Sequence, residues 1–323
     1  MMKTAAIAPS AGWVAGVVGV HPWELSMTDT ALQQELWGTD ADIWIASPYA
    51  PMGRAAPVDG GYRLSGRWSF SSGTDHCEWV VIGGLVTDEQ GGHTGMRHFV
   101  LPRGDYRIVD DSWQVVGLKG TGSKDLTVGE AFVPDYRTID VAALVDGSLA
   151  QANRPGDPLY ALPFGVLFSY AISAATIGIS EGALAAFVAY TEGRISLDGS
   201  RASRHAHQLS ALGAATADIN AGRTVLMSNA HRMFDITSAG GRLTESDRIA
   251  FRNDQVRAAR RAVDAVDSLF VHAGGGALRS DLPYQRYWRD AHAAMNHLCN
   301  VADPIHQSYS ADRFGSPITA LFY

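Results

Sequence analysis

The chain has 323 residues, 46% of them hydrophobic and 18% charged, with a formal net charge of −7. That composition belongs to a soluble globular protein with room for two domains and excludes a disordered chain. The acidic balance and the absence of any long Lys/Arg run exclude a general nucleic-acid surface, and two distant cysteines, Cys77 and Cys299, exclude a disulfide framework or a cysteine-rich zinc site. Two lone cysteines also suit a reducing compartment, so the expected location is the cytoplasm.

At the N-terminus the apolar stretch after Met1-Met2-Lys3 is cut short by Pro9 and is no signal peptide. Residues 12–19 and 30–37 have helical patterns, and a β-rich region opens near Asp42. Its strands are short alternating runs: 64–73 after the turn Asp59-Gly60-Gly61, then 78–83, then 97–102 and 126–134, both ending at prolines. Residues 151–157, with Asn153-Arg154-Pro155-Gly156, form a linker. Four long helical patterns follow at 159–194, 203–238, 245–273 and 283–312, separated by short glycine-bearing breaks, which predicts an up-down four-helix bundle. Residues 158–180 carry no charge for longer than a membrane helix requires. Pro163, several hydroxyls and the lack of a basic flank assign them to a buried bundle helix, not a membrane span.

The run Leu64-Ser65-Gly66-Arg67-Trp68-Ser69-Phe70-Ser71-Ser72-Gly73 is the most informative in the chain. A strand that ends in two hydroxyls and a glycine can present O–H and N–H groups to a flat polar heterocycle. Four further segments stand in matching order: Trp44-Ile45-Ala46-Ser47-Pro48; Val116-Gly117-Leu118-Lys119-Gly120-Thr121-Gly122-Ser123-Lys124-Asp125 with Phe132-Val133-Pro134; His272-Ala273-Gly274-Gly275-Gly276 with Arg286-Tyr287-Trp288-Arg289-Asp290-Ala291; and Gly19-Val20-His21-Pro22-Trp23. Together they resemble the acyl-CoA dehydrogenase superfamily, and the last resembles its flavin-dependent two-component aromatic hydroxylase branch, which includes the 4-hydroxyphenylacetate and 3-hydroxy-secosteroid enzymes.

The resemblance implies an α+β fold. It comprises a remnant of an N-terminal helical domain (1–40), a middle β-barrel domain (41–150) and a C-terminal four-helix bundle (151–323). Relatives of this type carry about 70 further residues ahead of the position of Met1, so a late start is expected. The implied activity is hydroxylation of a phenolic or polycyclic aromatic substrate by O₂ through a flavin C4a-hydroperoxide. The implied cofactor is FMNH₂, with FADH₂ open, delivered by a separate NAD(P)H:flavin reductase to a homotetramer. Ser72, with Ser71 as its near alternative, would hold the flavin N5 side. Ser47 would serve both flavin and substrate, Arg194, Gly274 and Gly275 would reach the cofactor, and His21 would orient the phenol.

The superfamily's dehydrogenases use a glutamate base near the Arg-Asp-Ala triplet. Here residues 292–301 hold no carboxylate, and His297 stands close to that position. An imidazole is a poor base for an acyl C–H but is matched to a phenol, whose pKa is near 10. His297 is therefore the expected catalytic base.

Plainer readings stand beside these. His21 is also a helix-end residue before Pro22, His297 a satisfied core histidine, Arg194 a basic residue suited to a helix C-terminus, and 274–276 a helix stop. N- or S-oxygenation by the same chemistry is an alternative function. So is an acyl-CoA dehydrogenase using Asp254 or Glu245, or a non-catalytic paralogue. Residues 117–124 fail as a phosphate loop because a strand follows, and His205 and His207, two apart on a helix, do not make a metal site.

Overall fold

The computed structural model describes residues 1–88 and 90–320. Four short helices lead: α1 (Met2–Ile7), α2 (Pro9–Val18), α3 (His21–Leu25) and α4 (Thr30–Trp37). Eight strands follow, β1 (Ile45–Ala46), β2 (Gly53–Val58), β3 (Gly61–Ser71), β4 (Trp79–Thr87), β5 (His93–Pro102), β6 (Arg107–Val109), β7 (Lys124–Pro134) and β8 (Thr138–Asp140). The helices α5 (Val141–Asp146), α6 (Ser148–Asn153), α7 (Phe164–Gly193), α8 (Ala206–Ser238), α9 (Glu245–Ala273), α10 (Pro283–Met295) and α11 (Asp303–Arg313) complete the described chain. They divide into two compact units, one of residues 17–114 and 121–164, the other of 1–16, 115–120 and 165–323.

The β unit is one sheet in the order β6-β7-β3-β2-β4-β5-β8, with β1 parallel to β4. Alternation along the strands sends Leu64, Trp68, Val80, Ile82, Phe99, Leu101, Leu126 and Val128 into a single buried cluster, so the sheet curls around one core. Of the run 44–48 only Ile45 and Ala46 pair in the sheet. Ser47 follows just past the ladder, with its buried side chain on the side of His21. The expected linker at 151–157 begins instead inside α6, whose N-cap is Gly147 and whose first N–H, of Ser148, is accepted by Asp146 Oδ1 at 2.8 Å.

In the helical unit α7 has 30 residues and is long and apolar enough to cross a membrane. Its most apolar stretch is 67% buried against protein, the signature of a core helix. Gly178 and Gly182 explain how closely α1 lies on it, since a Cβ there would stand 2.4 Å and 2.3 Å from backbone atoms of Met2 and Ala6. The Tyr287 hydroxyl, on α10, donates to the Ala6 carbonyl at 2.8 Å. α9 begins with a capping box between Thr244 and Asp247 and matches its expected span.

The expected helix 283–312 is broken. α10 stops at Met295, a 3-10 turn occupies Leu298–Asn300, and α11 restarts with Pro304 in its first turn. Proline cannot donate an interior helix bond, and the His297 side chain caps the turn in place of a continuing helix. Cys299 accordingly does not share a helix with His297.

Candidate active site

Within the β unit, α3 places His21 fully out of solvent. A carbonyl only accepts, so His21 carries its proton on Nδ1 and donates it to the Ile45 carbonyl. Nε2, 2.6 Å from Ser47 Oγ, is then an acceptor for the serine hydroxyl. Burial holds the His21 imidazole down to about 4, opposed by the nearby Glu24 charge and the Ile45 bond and reinforced by His98. The ring is neutral near pH 7 and keeps a proton-accepting nitrogen.

The hydroxyl pair closes β3. After the buried Trp68, whose indole N–H donates to the Gly83 carbonyl at 2.6 Å, the β3–β7 register shifts. Phe70 then adopts φ +67°, a left-handed conformation costly for a bulky residue, and is 70% exposed. Its ring meets Trp113 edge-on at 6.0 Å. Ser72 Oγ shares a hydrogen bond of 2.8 Å with Ser123 Oγ, which in turn is 2.7 Å from Thr121 Oγ1. Ser71 Oγ is buried and has no partner among the described residues. A buried hydroxyl left unpaired costs about 1–3 kcal/mol, so this strand end is built for something beyond its own fold.

His297 lies in the helical unit, half-buried, with Trp13 edge-on at 5.6 Å and Phe168 at 5.9 Å. Its Nδ1 accepts the Cys299 backbone N–H at 3.2 Å. Burial, and then the charge of Arg252, hold the ring down to about 4. Arg252 is itself fixed there, donating to the Cys299 carbonyl at 3.2 Å. A neutral imidazole whose Nδ1 accepts must carry its proton on Nε2. In this arrangement the open nitrogen of His297 is a hydrogen-bond donor, and the expected role as general base requires the other tautomer.

Arg194 also lies in the helical unit. It donates to the Ala273 carbonyl and, at 3.3 Å, to that of His272, and stands over the Tyr190 ring. It thus covers the C-terminal carbonyls of α9, where a cation is favoured. Gly274 turns there with φ +73° and approaches Arg194, while Gly275 opens the next 3-10 turn.

Of the residues expected at the site, the structure brings His21 to Ser47, sets Ser71 beside Ser72, and sets Gly274 against Arg194, with Gly275 only next to it in the chain. His297 belongs to the other unit from His21 and Ser72. Asp254 accepts from Asn229 at 2.7 Å and Glu245 opens α9, so neither stands out as a base. Sequence reasoning missed Glu24, Tyr49, His98, Phe70, Ser123 and Arg252. Glu24, three residues after His21 on one short helix, had a readable spacing. His98 and Arg252 had none.

The strand end at Phe70–Ser72 fits a flavin. Paired and unpaired hydroxyls suit the polar edge of an isoalloxazine, and the exposed ring offers an apolar face. Residues 170–301 match the family model described as acyl-CoA dehydrogenase, C-terminal domain. The chain is 47% identical to a pigment production hydroxylase of Rhodococcus erythropolis, over 98% of this chain and 81% of that protein. It is 38% identical to the flavin-dependent monooxygenase oxygenase subunit HsaA of Rhodococcus jostii, over 98% of this chain and 83% of that protein. The solved structure of XiaF from a Streptomyces species, in complex with FADH₂ and glycerol, superposes with a TM-score of 0.90 at 25% identity, covering all of this chain and 83% of that one. The chain belongs to the oxygenase components of flavin-dependent monooxygenases, built on the acyl-CoA dehydrogenase fold.

Proposed function

We propose that this protein hydroxylates a phenolic or polycyclic aromatic substrate, using reduced flavin from a separate NAD(P)H:flavin reductase. The observation that carries the reading is the His21–Ser47 pair, at 2.6 Å, with Nε2 of a neutral imidazole as the acceptor. FMNH₂ and FADH₂ are both candidate flavins, because solved structures of the same fold carry FMN and FADH₂. FMNH₂ is tested first, with FADH₂ beside it. Ser72, Ser71 and the Phe70 ring would hold the isoalloxazine, with Arg194, Gly274 and Gly275 as candidates for its phosphate side. Bound reduced flavin supplies the electrons that activate O₂ and, with it, the oxygen atom that enters the ring.

The chain's own part is to prepare the phenol. Ser47 Oγ accepts the phenolic proton as its own proton passes to His21 Nε2, leaving a phenolate, a restored serine and an imidazolium. The phenolate pushes electron density onto its ortho carbon, which is what an electrophilic oxygen requires. His297, with its proton on Nε2, would serve as a hydrogen-bond donor. Buried hydroxyls at Ser71 and Ser72 would shield the polar edge of a bound flavin from bulk water.

A homotetramer is the proposed assembly. α8 exposes Leu209, Val225, Met227 and Phe234, apolar surface that a second copy would cover. Both cysteines are free and buried, in keeping with the cytoplasm.

The test is to supply FAD or FMN, a flavin reductase, NADH and ¹⁸O₂ with a panel of phenols and thioethers. A phenol that gains one labelled oxygen ortho to its hydroxyl is the expected product. Labelled sulfoxide with no ring product would replace this reading by S-oxygenation.

A further inference from the structure

Behind His21 lies a layer of buried polar groups with no part in the chemistry so far. Glu24 shares α3 with His21, three residues on and therefore on the same face, and is 0% exposed. Its Oε1 accepts from His98 Nδ1 at 2.6 Å, and its Oε2 accepts the Tyr49 hydroxyl. The Tyr49 ring stands edge-on to His21 at 5.7 Å and stacks on His98 at 4.6 Å, with Phe164 packed against both. Glu24 raises Tyr49 well above the ordinary range, next after burial itself, so the phenol stays protonated and remains a donor to the carboxylate.

A buried acid held by two donors adds little to stability compared with apolar packing. This one sits beside an imidazole that must become a cation to do its work. The geometry points to Glu24 as a positioning residue for proton transfer: its fixed negative charge, aimed by Tyr49 and His98, lets His21 hold the proton taken from the phenol. The inference rests on the phenol-hydroxylating reading and adds three residues to it.

In the step itself the phenol O–H bond breaks and its proton goes to Ser47 Oγ, while the Ser47 proton goes to His21 Nε2. Glu24 exchanges no proton, and Nδ1–H stays on the Ile45 carbonyl. The groups facing His21 are the Ile45 carbonyl and Ser47 at the end of β1, Tyr49 just beyond them, Glu24 on α3 and His98 on β5. Glu24 and the carbonyl favour a charged ring, whereas burial and any charge on His98 oppose it.

The experiment uses 4-nitrophenol, whose phenolate absorbs where the phenol does not, bound to the purified full chain with flavin and titrated with pH. Glu24→Gln keeps the shape and removes the charge. It raises the apparent pKa of the bound phenol by about one unit or more, leaving roughly tenfold less phenolate at a given pH. His98→Gln keeps a donor to the carboxylate but ends the opposing effect of the imidazole on His21, and shifts the bound phenol downward. Near-UV circular dichroism checks that each variant is folded. A folded Glu24→Gln protein within twofold of wild type overturns the inference, as does an upward shift in His98→Gln. Should Glu24→Gln fail to fold, the direction of the His98→Gln shift decides alone. Wild-type protein that ionises no bound phenol and labels none with ¹⁸O₂ would instead sink the underlying reading. Wild type that hydroxylates while the variants match it sinks only this one.

Discussion

His21 in the β unit and His297 in the helical unit are both held down to about 4, yet different nitrogens are left open. His21 spends Nδ1–H on the Ile45 carbonyl and keeps a lone pair at Nε2 for Ser47. His297 spends its Nδ1 lone pair on the Cys299 amide and keeps a proton at Nε2. The charged neighbours differ as well: a carboxylate, Glu24, beside the first and a guanidinium, Arg252, beside the second. One residue type, at one acidity, becomes an acceptor in one place and a donor in the other. What decides is whether the backbone offers a C=O or an N–H.

The largest test of that contrast swaps each ring for glutamine, which can donate but is no base. His21→Gln is expected to lose about 10²–10⁴-fold in hydroxylation, with O₂ consumption continuing as released peroxide. His297→Gln, which keeps an N–H donor, should lose less than about tenfold. Equal losses in the two variants, measured by product per NADH, would break the distinction.

Acid stability follows next. Both rings are neutral in the folded protein down to about 4, while in the unfolded chain histidine titrates near 6.5. Between those values the unfolded state binds more protons, so stability rises with pH across the window and is lost as pH falls through it. Urea midpoints should therefore fall from pH 6.5 toward pH 4.5, and His21→Gln should flatten that slope. An unchanged slope would mean that His21 is not the buried neutral group described.

Arg252→Gln separates the two environments more finely. Removing the guanidinium should raise the His297 titration by about one unit and leave His21 where it is, as ¹³C-histidine NMR would report. A shift in both would show that the charges act over the whole molecule.

The smallest effect concerns the strained strand end. Phe70→Gly relieves a left-handed conformation and is expected to gain about 1 kcal/mol of stability while weakening flavin binding. A variant that binds flavin as wild type does would remove Phe70 from the cofactor site.

Much of this was legible beforehand for reasons of local chemistry. The spans of α4 and α9 could be read from periodicity and, for α9, from the acidic first turn, and prolines marked the ends of β5 and β7. His21, Ser47 and Ser72 could be picked out from short motifs because they sit on contiguous segments. The break at 296–302 had one readable signal, Pro304, which cannot sit in a helix interior; only the folded turn shows His297 capping it. Glu24 was half legible, sharing a helix face with His21. Its partner His98 comes from β5, 74 residues away, and carries no pattern of its own.

By itself, then, the chain's order determined most of the long helices and strands and the candidate side chains, because these follow from periodicity, turn chemistry and residue type within a few positions. The tertiary structure alone decided the protonation state and direction of each histidine and the company of its nearest charge. Those depend on which backbone carbonyl, amide, carboxylate or guanidinium distant segments bring within hydrogen-bond reach in a site closed to water.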